Sequence, residues 1–156
     1  MLFNIKKVLK LDSNIQEKFK IIAIHSNLKI FSLAFQINKY CYSNFIRSNI
    51  DLKFEDISNI LYYSWKNKEK GIDFKLFQNK FNMEIQESEL TDSLFSFANT
   101  KELSLIESHK EVDFFIKQSC YFSTSNLIEK ISKISNVSLV YKIPSNELSE
   151  NFNLDI

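Results

Sequence analysis

The sequence predicts an α+β fold: a single domain with a mainly antiparallel sheet, two helices packed on one face, and a C-terminal β-α-β unit. Three observations lead there. Apolar residues alternate with period two over much of 45–81 and 111–119, the pattern of half-buried strands. Two other segments, 27–42 and 124–135, carry them at helical spacing instead. The length of 156 residues, 44% hydrophobic and 25% charged, suits one domain with a real core over 1–156, fraying at 147–156.

"VLKL" (8–11) and "FKIIAIHS" (19–26) read as the first two strands, with "DSNIQEK" supplying turn residues between them. The continuous run Ile21–Ile24 suits a central strand covered on both faces. "SNLKIFSLAFQINKYCY" (26–42) follows as a helix. Phe31, Ala34, Phe35, Asn38 and Cys41 make one stripe, and Ile30, Leu33, Ile37 and Tyr40 an adjacent one. The wide apolar face is expected to lie on the sheet, with Ser26 or Asn27 capping the start. Asn38 falls on that face, so its amide is expected to be tied to a neighbouring loop.

"FIRSNIDLKF" gives one or two short strands. "NILYYSWKN" (59–67) and "IDFKLFQNKF" (72–81) flank "KEKG", a hairpin in which Gly71 supplies the positive φ. Residues 82–111 are polar and weakly periodic, and "LFSFA" is a further candidate strand. "EVDFFIKQS" (111–119) alternates Val112, Phe114 and Ile116 on one face. In "STSNLIEKISKIS", Asn126 and Glu129 resemble a capping box, and Leu127, Ile131 and Ile134 form the buried stripe. "VSLVYKIP" places Val137, Leu139, Tyr141 and Ile143 on one face of a last strand that Pro144 stops. Asn136, at the helix-to-strand turn, is expected to take the left-handed conformation that glycine takes elsewhere.

Several function classes are disfavoured. With one glycine, the chain cannot build a phosphate-cradling loop. His25, Cys41, His109 and Cys120 lack the close pairs of a zinc site, and nothing marks a Cys–His nucleophile. The carboxylates at Asp51, Glu55 and Asp56, and at Glu84, Glu87 and Glu89, sit in polar, solvated segments. No catalysis and no cofactor are expected. The net charge of +1 gives no global pull toward nucleic acid. Two distant cysteines, the absence of a signal-like start and of any apolar run near the roughly 20 residues of a membrane helix point to a soluble cytoplasmic protein with no membrane partner. The 15 Phe and 6 Tyr fit a genome rich in A/T codons, or base-stacking surfaces.

The order of segments resembles the IPExxxVDY family, small proteins of the Bacteroidota. The naming motif aligns with Ile134, Ser135, Asn136, three residues, then Val140, Tyr141 and Lys142, where Ile134 and Val140 match. "LKIFSLAFQINK", "FKLFQNK" and "VDFFIK" are similar to the family's first helix, mid-chain strand and aspartate-aromatic strand. The resemblance implies no activity or cofactor; the family's gene neighbourhood implies a housekeeping role with a tilt toward RNA.

The most suggestive local combination is Tyr63 and Trp65 with Lys66, Lys68 and Lys70, aromatics beside a basic hairpin tip. The functional expectation is therefore a non-catalytic protein-binding or adaptor module. The alternative is an RNA- or ribosome-associated protein, with the 59–81 hairpin as the interface under either reading.

Overall fold

A computed structural model describes residues 19–54, 57–84, 100–119 and 123–147. The candidate strands 8–11 and "LFSFA" lie outside them. The strand β1 (Lys20–Ser26) is the one the sheet is built around. Ile21, Ile22, Ala23 and Ile24 are all fully buried, because β1 is flanked on both edges and covered on both faces. After it come α1 (Ile30–Cys41), β2 (Ile46–Arg47), β3 (Leu52–Phe54), β4 (Ile57–Ile60), β5 (Tyr62–Asn67) and β6 (Ile72–Gln78). Then follow β7 (Lys80–Glu84), β8 (Thr100–Ser104), β9 (Phe114–Gln118), α2 (Thr124–Ser132) and β10 (Val137–Lys142).

The main sheet has six strands in the order β10-β1-β9-β6-β5-β2, every neighbouring pair antiparallel. β3 with β4, and β7 with β8, form two-stranded ladders of their own. Both β9 and β10 run opposite to β1, so they are parallel to each other. The unit β9-α2-β10 is thus the expected β-α-β crossover, with β1 threaded between its strands. Among the described residues no helix is long and apolar enough to cross a membrane.

Strand alternation divides the core in two. Ile22, Ile24, Ile72, Phe74, Leu76, Phe114 and Ile116 meet Ile30, Leu33, Ala34 and Ile37 of α1 and Ile131 of α2 on one face. Ile21, Ala23, Phe77 and Phe115 meet Leu105, Ile106, Val112, Ile143 and Ile60 on the other. The second cover is not an α-helix but the segment 105–112, with a 3-10 turn at Glu107–His109, which the weakly periodic sequence does not announce. It is fastened by Asn79, a fully buried amide. Asn79 Nδ2 donates to the carbonyls of His109 and Val112, both at 2.9 Å, and its Oδ1 accepts from Ile106 N–H at 2.8 Å.

Several local expectations are corrected. α1 starts at Lys29 and α2 at Ser123, each without a side-chain capping bond. Ser26 instead donates to the Asn136 carbonyl at 2.8 Å and accepts from Leu28 N–H, while Asn126 lies inside α2. Asn136 is not left-handed. The end of α2 tightens through bonds such as Ile134 N–H to Ile131 and Val137 N–H to Ile134, both 3.0 Å, so no positive φ is needed. A left-handed residue instead ends α1: Tyr42, at φ 53° and ψ 37°. Asn38 holds that turn as expected of it: its amide donates to the Phe45 carbonyl at 2.9 Å, and its Oδ1 accepts from Phe45 N–H at 2.7 Å and from Ser43.

Val112 does not share a face with Phe114 and Ile116, because β9 begins after it and the chain turns there. Val137, Leu139, Tyr141 and Ile143 also split. A bulge between His25 and Ser26 shifts the β1–β10 register, which sends Val137 to the helix side and Tyr141 and Ile143 to the other.

Candidate functional site

The hairpin β5–β6 forms with shorter arms than the expected 59–67 and 72–81: Asn59 takes φ 62° and with Ile60 belongs to β4, and Lys80 and Phe81 belong to β7, while Gly71 takes φ 62° with its N–H bonded to the Lys68 carbonyl at 3.3 Å. It does not present its five singled-out residues on one surface. Tyr63 and Trp65 point under the helices and are half-buried against the helix-side core. The Trp65 ring stacks on Phe74 across the ladder, centroids 5.3 Å apart and planes 15° apart, and leans on Phe45 at 5.9 Å. Lys66, one residue on, projects exposed from the opposite face, and Lys68 and Lys70 are exposed in the turn.

Trp65 lines a cavity of about 370 Å³ between the sheet, the end of α1 and the start of α2. Phe74, Leu127 and Cys41 make the rest of its apolar wall; Ser123, Asn126 and Lys130 give it polar groups. Burial pushes the Cys41 thiol up to about 11, against a smaller opposing pull from the Lys130 ammonium. Lys130 Nζ also lies 5.7 Å from the Tyr42 ring centroid.

A second feature went unread in the sequence. α1 buries Ile30, Leu33, Ala34 and Ile37 but turns Phe31 and Phe35 outward, 58% and 65% exposed. They lie four residues apart, so they are neighbours on one side of the helix. Tyr42, 87% exposed, stands beyond its end. α1 contains no acidic residue, and Lys29 and Lys39 at its two ends are exposed. The apolar face predicted for this helix is thus wider than the sheet covers. The signal was that excess width, which was read as core.

The other sheet face carries a basic row. Lys75 of β6 sits directly opposite Lys117 of β9, and Ser64 of β5 opposite Lys75, all on the side of Phe77 and Phe115. Lys117 Nζ lies 4.8 Å from the Phe19 ring centroid. Asp73, on the same side of β6, sits opposite Lys66, so the row also carries a carboxylate.

The remaining candidates are dispersed. His25 stacks on Tyr141 at 5.9 Å on the face away from the helices, Cys41 lies on the helix side, and Cys120 is outside the described residues. His109 is buried; Ser108 Oγ lies 3.0 Å from its Nδ1 and Glu147 3.4 Å from its Nε2, which ties the turn after β10 to the 105–112 cover. Asp51 pairs with Arg47 at 3.2 Å; Glu55, Asp56, Glu87 and Glu89 lie outside the described residues. Asp113, the aspartate of "VDFFIK", accepts from Ser26 N–H at 2.9 Å and pairs with Lys80 at 2.8 Å, a bond that holds β1 to β7.

Comparison with known proteins finds no matching family model, no similar curated protein and no similar solved structure. The IPExxxVDY resemblance therefore rests on the segments quoted above.

Proposed function

We propose that the protein is a non-catalytic binding module of the cytoplasm, belonging to the IPExxxVDY family, and that it engages a protein partner through the outer side of α1. The observation that carries this reading is the pair Phe31 and Phe35, both more than half exposed on a helix whose opposite side is fully used by the core. Aromatic side chains are enriched at the centres of protein interfaces, where they bury large areas at low entropic cost. Lys29 and Lys39 flank the pair, and no carboxylate of α1 offsets them. The partner surface that suits this patch is an apolar segment with acidic flanks, such as an amphipathic helix.

Affinity purification of the tagged protein from its own cells, with and without nuclease, tests the reading. Phe31→Ser with Phe35→Ser should remove a nuclease-resistant protein partner while the circular dichroism stays unchanged. A partner that survives both changes would refute it.

An RNA reading is favoured by a separate observation, the opposed Lys75 and Lys117 on one sheet face, with Lys66 and its cross-strand neighbour Asp73 beside them. It predicts nuclease-sensitive recovery that weakens steeply with salt, because phosphate contacts release counterions. Lys66→Ala with Lys75→Ala should then flatten the salt dependence and leave any α1 partner in place.

A further inference from the structure

The cavity beside Trp65 is separate from the outer side of α1, and its lining is selective in a way a packing defect need not be. Its volume, about 370 Å³, falls within the range of small-molecule sites. One wall is the flat indole of Trp65, stacked on the buried Phe74 ring beneath it and held by Phe45 at 5.9 Å. Leu127 and the Cys41 side chain extend the apolar lining of what is an open cleft. Side chains locked by such packing form a pre-organised surface, which reduces the ordering cost of binding.

The polar groups are of one kind. Among the described residues, Lys130 is the only charged one of the lining, and no carboxylate lines the cavity with it. Glu129, its neighbour in sequence, is directed to Lys133 at 3.0 Å on the exposed side of α2. Ser123 and Asn126 add hydroxyl and amide groups that can donate, and neither caps the start of α2. Cys41 could have neutralised Lys130 as a thiolate, but burial keeps it a neutral thiol at physiological pH.

From this we infer that the cavity binds a small planar aromatic carboxylate, its ring system against Trp65 and Leu127 and its carboxylate at Lys130 with Ser123 and Asn126. An apolar body alone would leave the ammonium with only the Tyr42 ring, 5.7 Å away, and a cation would meet Lys130 directly. A flat monoanion satisfies both halves of the lining.

The chain has a single tryptophan, so its indole Nε1–H gives one resolved NMR signal that reports on the cavity. The test is a titration of ¹⁵N-labelled protein with 2-naphthoate and, separately, with its uncharged counterpart 2-naphthamide. The expected result is a saturable shift of the indole signal and of the Asn126 and Leu127 amides, with naphthoate binding about tenfold more tightly than the amide. In Lys130→Gln the two probes should bind alike, at the affinity naphthamide has for the native chain. Lys130 is partly exposed, so this change leaves the core intact. No saturable shift, equal affinities in the native chain, or a preference that survives in Lys130→Gln would each overturn the assignment. None of these outcomes depends on the partner of α1.

Discussion

Asn79 shows at the scale of one residue how much a polar side chain can organise. Its amide fastens the 105–112 segment over one face of the sheet through three side-chain bonds, and the Asn79 N–H and carbonyl bond Asp113 and Leu105. Asn79→Ala would leave two carbonyls and one N–H buried without these partners. A loss of about 3 kcal/mol or more in urea unfolding is expected, given 1–3 kcal/mol for an unsatisfied buried group. Nothing in "FQNKF" distinguished this asparagine from a surface one, because its partners lie about thirty residues away in a segment without periodicity. Asn38 was legible because its partners are seven residues away and its position on an apolar face demanded them.

Cys41 carries the clearest pH signature. Its thiol is raised by burial from 9.0 to about 11, so the fold favours the neutral form. The associated stability is fully present below pH 9 and is lost as pH rises through 11. Relative to Cys41→Ala, the native chain should therefore lose stability over that window, measured by denaturant titration at each pH. In a Cys120→Ser background, Cys41 should also react with a maleimide at pH 8 more slowly than a free thiol.

Single elements were legible where one period dominates. The run Ile21–Ile24 could only be a doubly covered strand, and it is one. The hairpin around Gly71 was equally clear, since the loop needs a positive φ and has the one residue that supplies it without strain. Faces were misassigned where an irregularity intervenes. The bulge opposite Ser26 divides the β10 residues between two cores, and the turn at Val112 does the same before β9.

α1 gives the sharpest contrast between two similar-looking stripes. Leu33 is fully buried and Phe35 is 65% exposed, though they stand two residues apart. Leu33→Ala should destabilise the fold by about 2–5 kcal/mol, the range for large-to-small core changes. Phe35→Ala should stay within about 0.5 kcal/mol of the native chain, as surface substitutions do. Thermal unfolding of the two variants side by side measures the difference. If Phe35→Ala destabilised as strongly as Leu33→Ala, the outer side of α1 would be core and not interface.

Over the whole molecule, the sheet separates the candidate surfaces. The aromatic side of α1 and the cavity lie on the helix side. Lys66, Lys75 and Lys117 lie on the other, with the 105–112 cover. The sequence placed aromatics and lysines together because they are adjacent along the hairpin, yet strand alternation sends Trp65 and Lys66 to opposite faces. The resulting architecture, α+β with both helices on one face, agrees with the one predicted, since it depends on periodicity. The site depended on which apolar stripe the sheet had room to bury, and that is settled by tertiary packing.

Site-specific photocrosslinking tests the interface most directly. A benzophenone amino acid is placed at Phe35 in one chain and at Lys68 in another, and both are irradiated in living cells. Both positions are exposed, one on α1 and the other at the hairpin tip. A discrete, nuclease-resistant protein adduct is expected from position 35 and none from position 68. An adduct only from position 68, or one from position 35 that nuclease destroys, would contradict the α1 interface.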